Sequence, residues 1–138
     1  MAYDRATFQY LAARRLSEAK VLAEGGHPSG AYYLAGYAIE CALKALIAAQ
    51  FRANEIPDKG LVNSVYTHDL SVLLRLAGLQ TEFDAAAEVN PILTRRWSII
   101  KKWSEHARYD IWTEDAASAM LEAVDGDENG LFRWLNNR

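Results

Sequence analysis

The segment from Arg95 to Asp110 (RRWSIIKKWSEHARYD) contains the residues best suited to chemistry. Its five basic and two acidic side chains give a local charge of +3, whereas the whole chain has a formal net charge of −3. Aromatic residues lie between the basic ones, a composition typical of surfaces that bind phosphate groups and stack on nucleobases. The alternative is a solvated helix face whose tryptophans, Trp97 and Trp103, turn into the core. We expect that orientation for these two side chains.

The carboxyl end of this segment supplies the candidate site. His106 is the only histidine among basic residues, and an imidazole can transfer protons near neutral pH. Arg108 and Tyr109 follow where the predicted helix ends in a loop, and polar side chains on loops often serve function. We therefore predict a polar ligand-binding surface made of Lys101, Lys102, His106, Arg108 and Tyr109.

Other kinds of chemistry have little support in the sequence. The three histidines, at positions 27, 68 and 106, lack helical metal-ligand spacing, so we expect no bound metal and no cofactor. The single cysteine, Cys41, lies in an apolar run and is expected to be a buried structural thiol. In the THDL motif (67–70), we expect Thr67 to cap a short helix, Asp69 to suit the helix dipole, and His68 to donate to a neighbouring polar group.

The chain has the size and composition of one globular domain, over residues 1–138. It is 51% apolar and 24% charged, and it is long enough to bury a core without disulfides. No secretory pattern follows Met1, so a cytoplasmic location is the default expectation. The run from Ala31 to Phe51 has the length of a membrane span, but Glu40 and Lys44 would be costly in a bilayer. We interpret it as a buried helix and expect no membrane association.

Apolar residues recur at helical spacing along the chain, which predicts a compact all-α helical bundle. The second helix is apolar nearly all round, so it is either the centre of the bundle or also contacts a partner subunit. Asn54 to Tyr66 is predicted to be a loop because it contains proline and glycine. The predicted helices are Tyr3–Glu24 (capped by Asp4 and ended by Gly25-Gly26), Ser29–Arg52, a short helix from Thr67 to Gly78, a brief one opening at Thr81-Glu82 and running to Val89, one from Asn90-Pro91 to about Glu105, a long one capped by Thr113, and Leu131–Leu135.

The tyrosine-rich second helix (GAYYLAGYAIECALKALIA, Gly30–Ala48) resembles the signature helix of HEPN domains, the higher-eukaryote and prokaryote nucleotide-binding family. The THDL motif, the stretch from Trp103 to Tyr109 and the terminal GLFRWL (130–135) strengthen the resemblance, which covers essentially the whole chain. The resemblance implies an up-and-down bundle of four to five helices that commonly forms a homodimer.

Many HEPN domains are metal-independent endoribonucleases, often toxins neutralised by a nucleotidyltransferase partner encoded alongside. Their catalytic motif is an arginine, four to six residues, and then a histidine. In this chain the nearest approach is Lys101-x4-His106, and a lysine lacks the planar fork with which arginine grips phosphate. Non-catalytic members of the family are thought to bind nucleotide or RNA, or to partner a nucleotidyltransferase.

We therefore expect a non-catalytic HEPN-type module that binds a nucleotide, an RNA or a nucleotidyltransferase partner, in a system of the toxin–antitoxin kind. The first alternative is a divergent metal-independent endoribonuclease, in which Lys101 stabilises the charge that develops on phosphate and His106 moves a proton. The second alternative is a purely structural association module. A homodimer is expected through part of the second helix, with the last helix as a second candidate, because the apolar surface of the second helix exceeds what one neighbouring layer covers.

Overall fold

The computed structural model describes residues 3–138, and every regular element in that range is helical. This confirms the predicted all-α fold class. Eight α-helices form within residues 3–138, more than the four or five implied by the resemblance, and three of them have only six or seven residues. They are α1 (Arg5–Glu24), α2 (Pro28–Ala48), α3 (Lys59–Val65), α4 (Leu70–Leu76), α5 (Gln80–Val89), α6 (Pro91–Ile100), α7 (Glu114–Asp125) and α8 (Leu131–Asn136), with short 3-10 helices at Glu105–Tyr109 and Asp127–Asn129.

The central element of the fold is α2. Twelve of its 21 residues are buried, and α1, α4, α7 and α8 pack around it. Its composition explains this position, because a helix that is apolar on all sides must be covered on all sides. The length and hydropathy of α2 would also suit a membrane span, but 67% of that apolar stretch lies buried inside the fold. This burial agrees with its interpretation as a core helix.

The burial of α2 bears on the predicted homodimer. That prediction rested on the apolar side chains between Tyr32 and Ile47, and the fold covers most of them within one chain. Tyr32 keeps 5% of its exposure, and Ile39 and Leu43 keep none. Of the two roles expected for this helix, the centre of the bundle is the one observed. Dimerisation stays a prediction of the family resemblance.

Several helix ends lie where local chemistry predicts them. Asp4, Asn90 and Thr113 are N-caps whose side-chain oxygens accept hydrogen bonds from backbone N–H groups of the first turn. Gly26 and Gly78 have positive φ angles of 82° and 76° just beyond α1 and α4, a conformation that L side chains rarely adopt. These ends depend on neighbouring residues alone, which is why the sequence predicts them.

Two predictions between α2 and α4 are wrong. The stretch 54–66, predicted to be a loop, contains α3, which begins directly after a side-chain cap by Asp58. The cap of α4 is Asp69 and not Thr67, whose hydroxyl oxygen instead accepts from the Asp69 N–H over 3.2 Å. In both cases an aspartate oxygen accepts from the first turn, as favoured N-caps do.

Three further boundaries also differ from the prediction. The brief helix α5 begins one residue before Thr81 and has no side-chain cap. The central helix ends at Ala48 rather than Arg52, and α6 ends at Ile100 rather than near Glu105. The last difference has a tertiary cause, which also shapes the candidate site.

Candidate functional site

A surface cleft of about 430 Å³ brings together two segments that are far apart in the sequence. One segment is the connection between α3 and α4, residues 66–69, and the other follows α6, residues 101–106. We call it the basic cleft, because four of its lining residues carry an ammonium or imidazole group: His68, Lys101, Lys102 and His106.

Trp103 fixes the lysine-bearing side of the basic cleft. Its side chain keeps only 3% exposure, and its Nε1–H donates to the backbone carbonyl of Tyr33 over 3.1 Å. The indole lies directly on Gly36 of α2, where an added Cβ would come within 2.2 Å of the Trp103 Cδ1 atom. Docking of this ring onto α2 turns the chain away from the axis of α6. The helix therefore ends at Ile100, and the predicted continuation to Glu105 is wrong.

The inward orientation predicted for two tryptophans is confirmed. Trp103 is buried, and Trp97 is half-buried against Phe83, with 5.4 Å between the ring centroids. Both rings therefore serve the core rather than a ligand. The aromatic side chain that does stand exposed on the basic cleft is Tyr66, at 78% exposure.

Lys101 and Lys102 are the unpaired cations of the basic cleft. Both are exposed, and neither forms an ion pair with any residue from 3 to 138. Two carboxylates also lie on the cleft: that of Asp69 accepts from the first turn of α4, and that of Glu105 lies beside His106. An anionic ligand would thus meet two ammonium groups that have no partner of their own.

His106 lies on the basic cleft, as the sequence predicts. Its side chain is 79% exposed, and its Nε2 atom is 3.8 Å from Glu105 Oε1, which is beyond hydrogen-bond distance. Its backbone N–H donates to the hydroxyl of Ser104, the cap of the 3-10 helix. The position of the residue is therefore set by its backbone, while its ring is oriented by no buried partner among residues 3–138.

His68 is the better oriented imidazole of the two. Its Nδ1 atom is 2.8 Å from Oε1 of Glu40, a carboxylate on α2 that keeps only 3% exposure. The other oxygen of Glu40 accepts from Lys44 over 3.4 Å. An ionised carboxylate only accepts hydrogen bonds, so against ionised Glu40 the hydrogen lies on Nδ1. In the neutral ring this leaves Nε2 as an acceptor, the state that a general base requires.

The sequence predicts one part of the role of His68 and misses another. The expected hydrogen bond to a polar neighbour is present, with Glu40 as the partner. The missed feature is that the same residue lines the basic cleft. The sequence carries a signal for the Glu40 contact only, because a buried carboxylate needs more than the single partner that Lys44 offers.

Arg108 and Tyr109 do not line the basic cleft. Both are exposed, and the guanidinium carbon of Arg108 lies 4.9 Å from the centroid of the Tyr109 ring, a cation–π contact. The predicted five-residue surface is therefore divided in two. Three of its members, Lys101, Lys102 and His106, share the cleft, and the other two form a separate exposed pair.

Arg96, a further basic residue of the segment 95–110, lies outside the basic cleft. It is buried, its guanidinium donates two hydrogen bonds of 3.0 and 3.1 Å to the Asp127 carboxylate, and it also donates to the Gly126 carbonyl. The hydrogen bond from Arg96 holds the pKa of Asp127 below its ordinary value. This part of the +3 charge therefore holds α6 against the end of α7 instead of facing a ligand.

A metal site and a reactive thiol at Cys41 are the two other kinds of site to consider. Within residues 3–138, no three His, Cys, Asp or Glu side chains converge as metal ligands. Cys41 keeps 1% exposure, and burial raises the pKa of its thiol to about 12. A thiol with that pKa stays protonated at neutral pH, which agrees with the predicted structural role.

Comparison of the chain with family models, with curated proteins and with solved structures gives no match. Function is therefore inferred from the site itself. The basic cleft can attract an anionic group through its two lysines, and its two imidazoles can donate or accept hydrogen bonds at that group.

Proposed function

We propose that this chain is a non-catalytic, HEPN-type module that binds nucleotide phosphate, free or within single-stranded RNA, in the basic cleft. The observation that carries the proposal is the meeting of Lys101 and Lys102, both unpaired among residues 3–138, with two histidines on one cleft. The cleft is the size of a small-ligand site, roughly 300–1,000 Å³ in most proteins.

Each group on the basic cleft suits one part of such a ligand. The two ammonium groups match phosphate oxygens as point charges. Tyr66, exposed at the rim, offers a ring on which a base can stack. The binding energy would come mainly from charge, so affinity should fall as salt rises, because phosphate contacts release counterions.

The test is a titration of a short, fluorescently labelled single-stranded RNA and of AMP with the purified protein at several salt concentrations. The double variant Lys101→Glu/Lys102→Glu should weaken binding at least about tenfold and flatten the salt dependence, since each lost phosphate contact removes about 0.7 from the slope for single strands. A matched control, Arg95→Glu/Lys59→Glu, reverses two exposed charges that lie outside the basic cleft. Equal losses in both variants, or no binding by the wild type, would contradict the proposal.

A second candidate is a divergent metal-independent endoribonuclease. The observation that favours it is the pair of histidines on one cleft, of which His68 is oriented by the buried Glu40. In such a reaction His68 Nε2 takes the proton of the ribose 2′-hydroxyl, and the 2′-oxygen attacks phosphorus. The bond to the 5′-oxygen breaks as His106 returns a proton to it, while Lys101 stabilises the negative charge on the phosphate oxygens.

An RNA-cleavage assay with a metal chelator present separates the two candidates. The binding module leaves RNA intact, and His106→Ala and His68→Ala then change nothing in that assay. The nuclease cleaves RNA despite the chelator, and each histidine variant lowers the rate by about 10²–10⁴-fold. Cleavage by the wild type that a folded His106→Ala protein has lost would defeat the non-catalytic proposal.

A further inference from the structure

A second cleft, of about 510 Å³, lies beside the basic cleft between α1, α2 and α3. We call it the aromatic cleft. Its walls are largely aromatic and aliphatic, and the side chains of Glu40 and Lys44 also line it. The aromatic and aliphatic side chains of these walls include Phe8, Tyr37, Phe51, Val62 and Val65.

The two clefts share a wall. Tyr66 and His68 line both of them, so the two clefts adjoin at these two side chains. The hydrogen bond from His68 to Glu40 holds this wall against α2. The Tyr66 side chain is exposed, so it can move without disturbing the core.

Lys44 offers free hydrogen-bond donors to the aromatic cleft. Its side chain keeps only 13% exposure, and its contact in residues 3–138 is a long one, 3.4 Å from Nζ to Glu40 Oε2. An ammonium group has three N–H donors, so at least two remain for a ligand or for water. A ring that enters the aromatic cleft with an acceptor atom on its edge would satisfy one of them, as base nitrogens and carbonyls do.

We propose that the basic and aromatic clefts are the two halves of one nucleotide site. The base lies in the aromatic cleft and accepts a hydrogen bond from Lys44, the ribose passes the wall formed by Tyr66 and His68, and the phosphate meets Lys101 and Lys102. This inference rests on the proposed function and refines it, since it places the base in the aromatic cleft, beyond the Tyr66 ring at the rim of the basic cleft. A planar aromatic ring with acceptor atoms can stack on the aromatic side chains of this cleft and accept a hydrogen bond from Lys44.

Calorimetric titrations of the whole chain with AMP and with ribose 5-phosphate test the inference, because the two ligands differ only in the base. The wild type should bind AMP about tenfold or more tightly than ribose 5-phosphate, given the usual worth of base stacking. Val65→Trp, which fills the aromatic cleft, should bring AMP down to the affinity of ribose 5-phosphate. Val89→Trp, on an exposed position of α5 outside both clefts, is the matched control and should keep the wild-type ratio.

Lys44→Met is the second variant, in case the tryptophan prevents folding. It removes the donor but keeps most of the side-chain volume, and it should weaken AMP several-fold more than it weakens ribose 5-phosphate. Circular dichroism verifies that each variant is folded.

The outcomes separate failure of this inference from failure of the proposed function. The base does not occupy the aromatic cleft if ribose 5-phosphate binds as tightly as AMP. The same conclusion follows if neither Val65→Trp nor Lys44→Met changes the affinity for AMP. Phosphate binding in the basic cleft would then still stand. If neither ligand binds the wild type, the proposed function fails and this inference fails with it.

Discussion

Arg96 and Lys102 belong to the same basic segment, yet the fold uses their charges in opposite ways. Arg96 is buried, and its guanidinium donates to the Asp127 carboxylate and the Gly126 carbonyl. Lys102 is exposed on the basic cleft, and no carboxylate from residues 3–138 pairs with it. The Arg96 charge holds α6 against the end of α7, and the Lys102 charge has no ion-pair partner among residues 3–138.

The difference shows that a count of charges along a sequence does not locate a binding surface. A planar guanidinium suits a fixed carboxylate because it donates through two parallel bonds, and burial strengthens that pairing. An exposed ammonium group gains little from such fixed pairing. Within this segment we therefore assign stability to the positions with partners, Arg96 and Trp103, and ligand binding to those without, Lys101 and Lys102.

Removal of the Trp103 side chain should have the largest effect on stability. Trp103→Ala leaves a cavity over Gly36 and removes the hydrogen bond to Tyr33, so the free energy of unfolding should fall by about 3–5 kcal/mol. Urea denaturation followed by circular dichroism measures it. Tyr109→Ala, at a 73% exposed position of the same segment, is the control and should change stability by no more than about 0.5 kcal/mol. If both variants lose similar stability, buried and exposed positions of this segment do not differ in their contribution to the fold, contrary to this account.

The adjacent residues Arg96 and Arg95 provide a matched pair, and the expected change in the free energy of unfolding at Arg96 is intermediate. Arg96→Met removes the donor to the Gly126 carbonyl and leaves the Asp127 carboxylate with only the Asn129 N–H, so the free energy of unfolding should fall by about 2 kcal/mol. Arg95→Met, at an exposed position, should change it by no more than about 0.5 kcal/mol. Neither variant should alter the affinity for AMP. If Arg96→Met loses AMP binding but is as stable as the wild type, Arg96 contributes to ligand binding and not to stability, contrary to this account.

The contribution of Arg96 to the free energy of unfolding should decrease in acid. The pKa of Asp127 is lowered in the folded protein, so its ion pair stabilises the fold above the ordinary value of 3.8 and is lost as pH falls through the folded-state value. The stability difference between wild type and Arg96→Met should therefore be constant near neutral pH and shrink below pH 3.8. It should not vanish, because the bond to the Gly126 carbonyl does not titrate. Urea denaturation of both proteins across this range measures it, and an undiminished difference in acid would rule out the ion pair.

The smallest effect on stability should come from the unpaired lysines. Lys101→Ala/Lys102→Ala removes two exposed side chains, so the free energy of unfolding should stay within about 0.5 kcal/mol of wild type. The affinity for AMP should nevertheless fall, because both partners of the phosphate are gone. A stability loss as large as that of Arg96→Met would mean that the lysines have structural partners.

Local signals account for the parts of the fold that the sequence predicts. The caps Asp4, Asn90 and Thr113 and the glycines after α1 and α4 act on residues within one turn of themselves, so a single sequence suffices to predict them. The end of α6 was mispredicted because its cause, the docking of Trp103 onto Gly36, joins residues that are distant in the chain.

The candidate site was predicted in part for the same reason. Lys101, Lys102 and His106 are neighbours in the sequence, and they do share the basic cleft. His68 could not be joined to them from sequence, because its place depends on a hydrogen bond to Glu40 on another helix. The prediction for Arg108 depends on a loop after α6, but Arg108 lies in a 3-10 helix and does not line the cleft.

The most direct test of the account is a titration of ¹⁵N-labelled protein with AMP, followed by the chemical shifts of its backbone amides. The account predicts shift changes at residues 66–69 and 101–106, their disappearance in Lys101→Glu/Lys102→Glu, and none around Arg96 and Asp127 in either protein. Changes confined to the surface around Arg95 and Arg96, or spectra that AMP leaves unchanged, would contradict the assignment of ligand binding to the unpaired lysines.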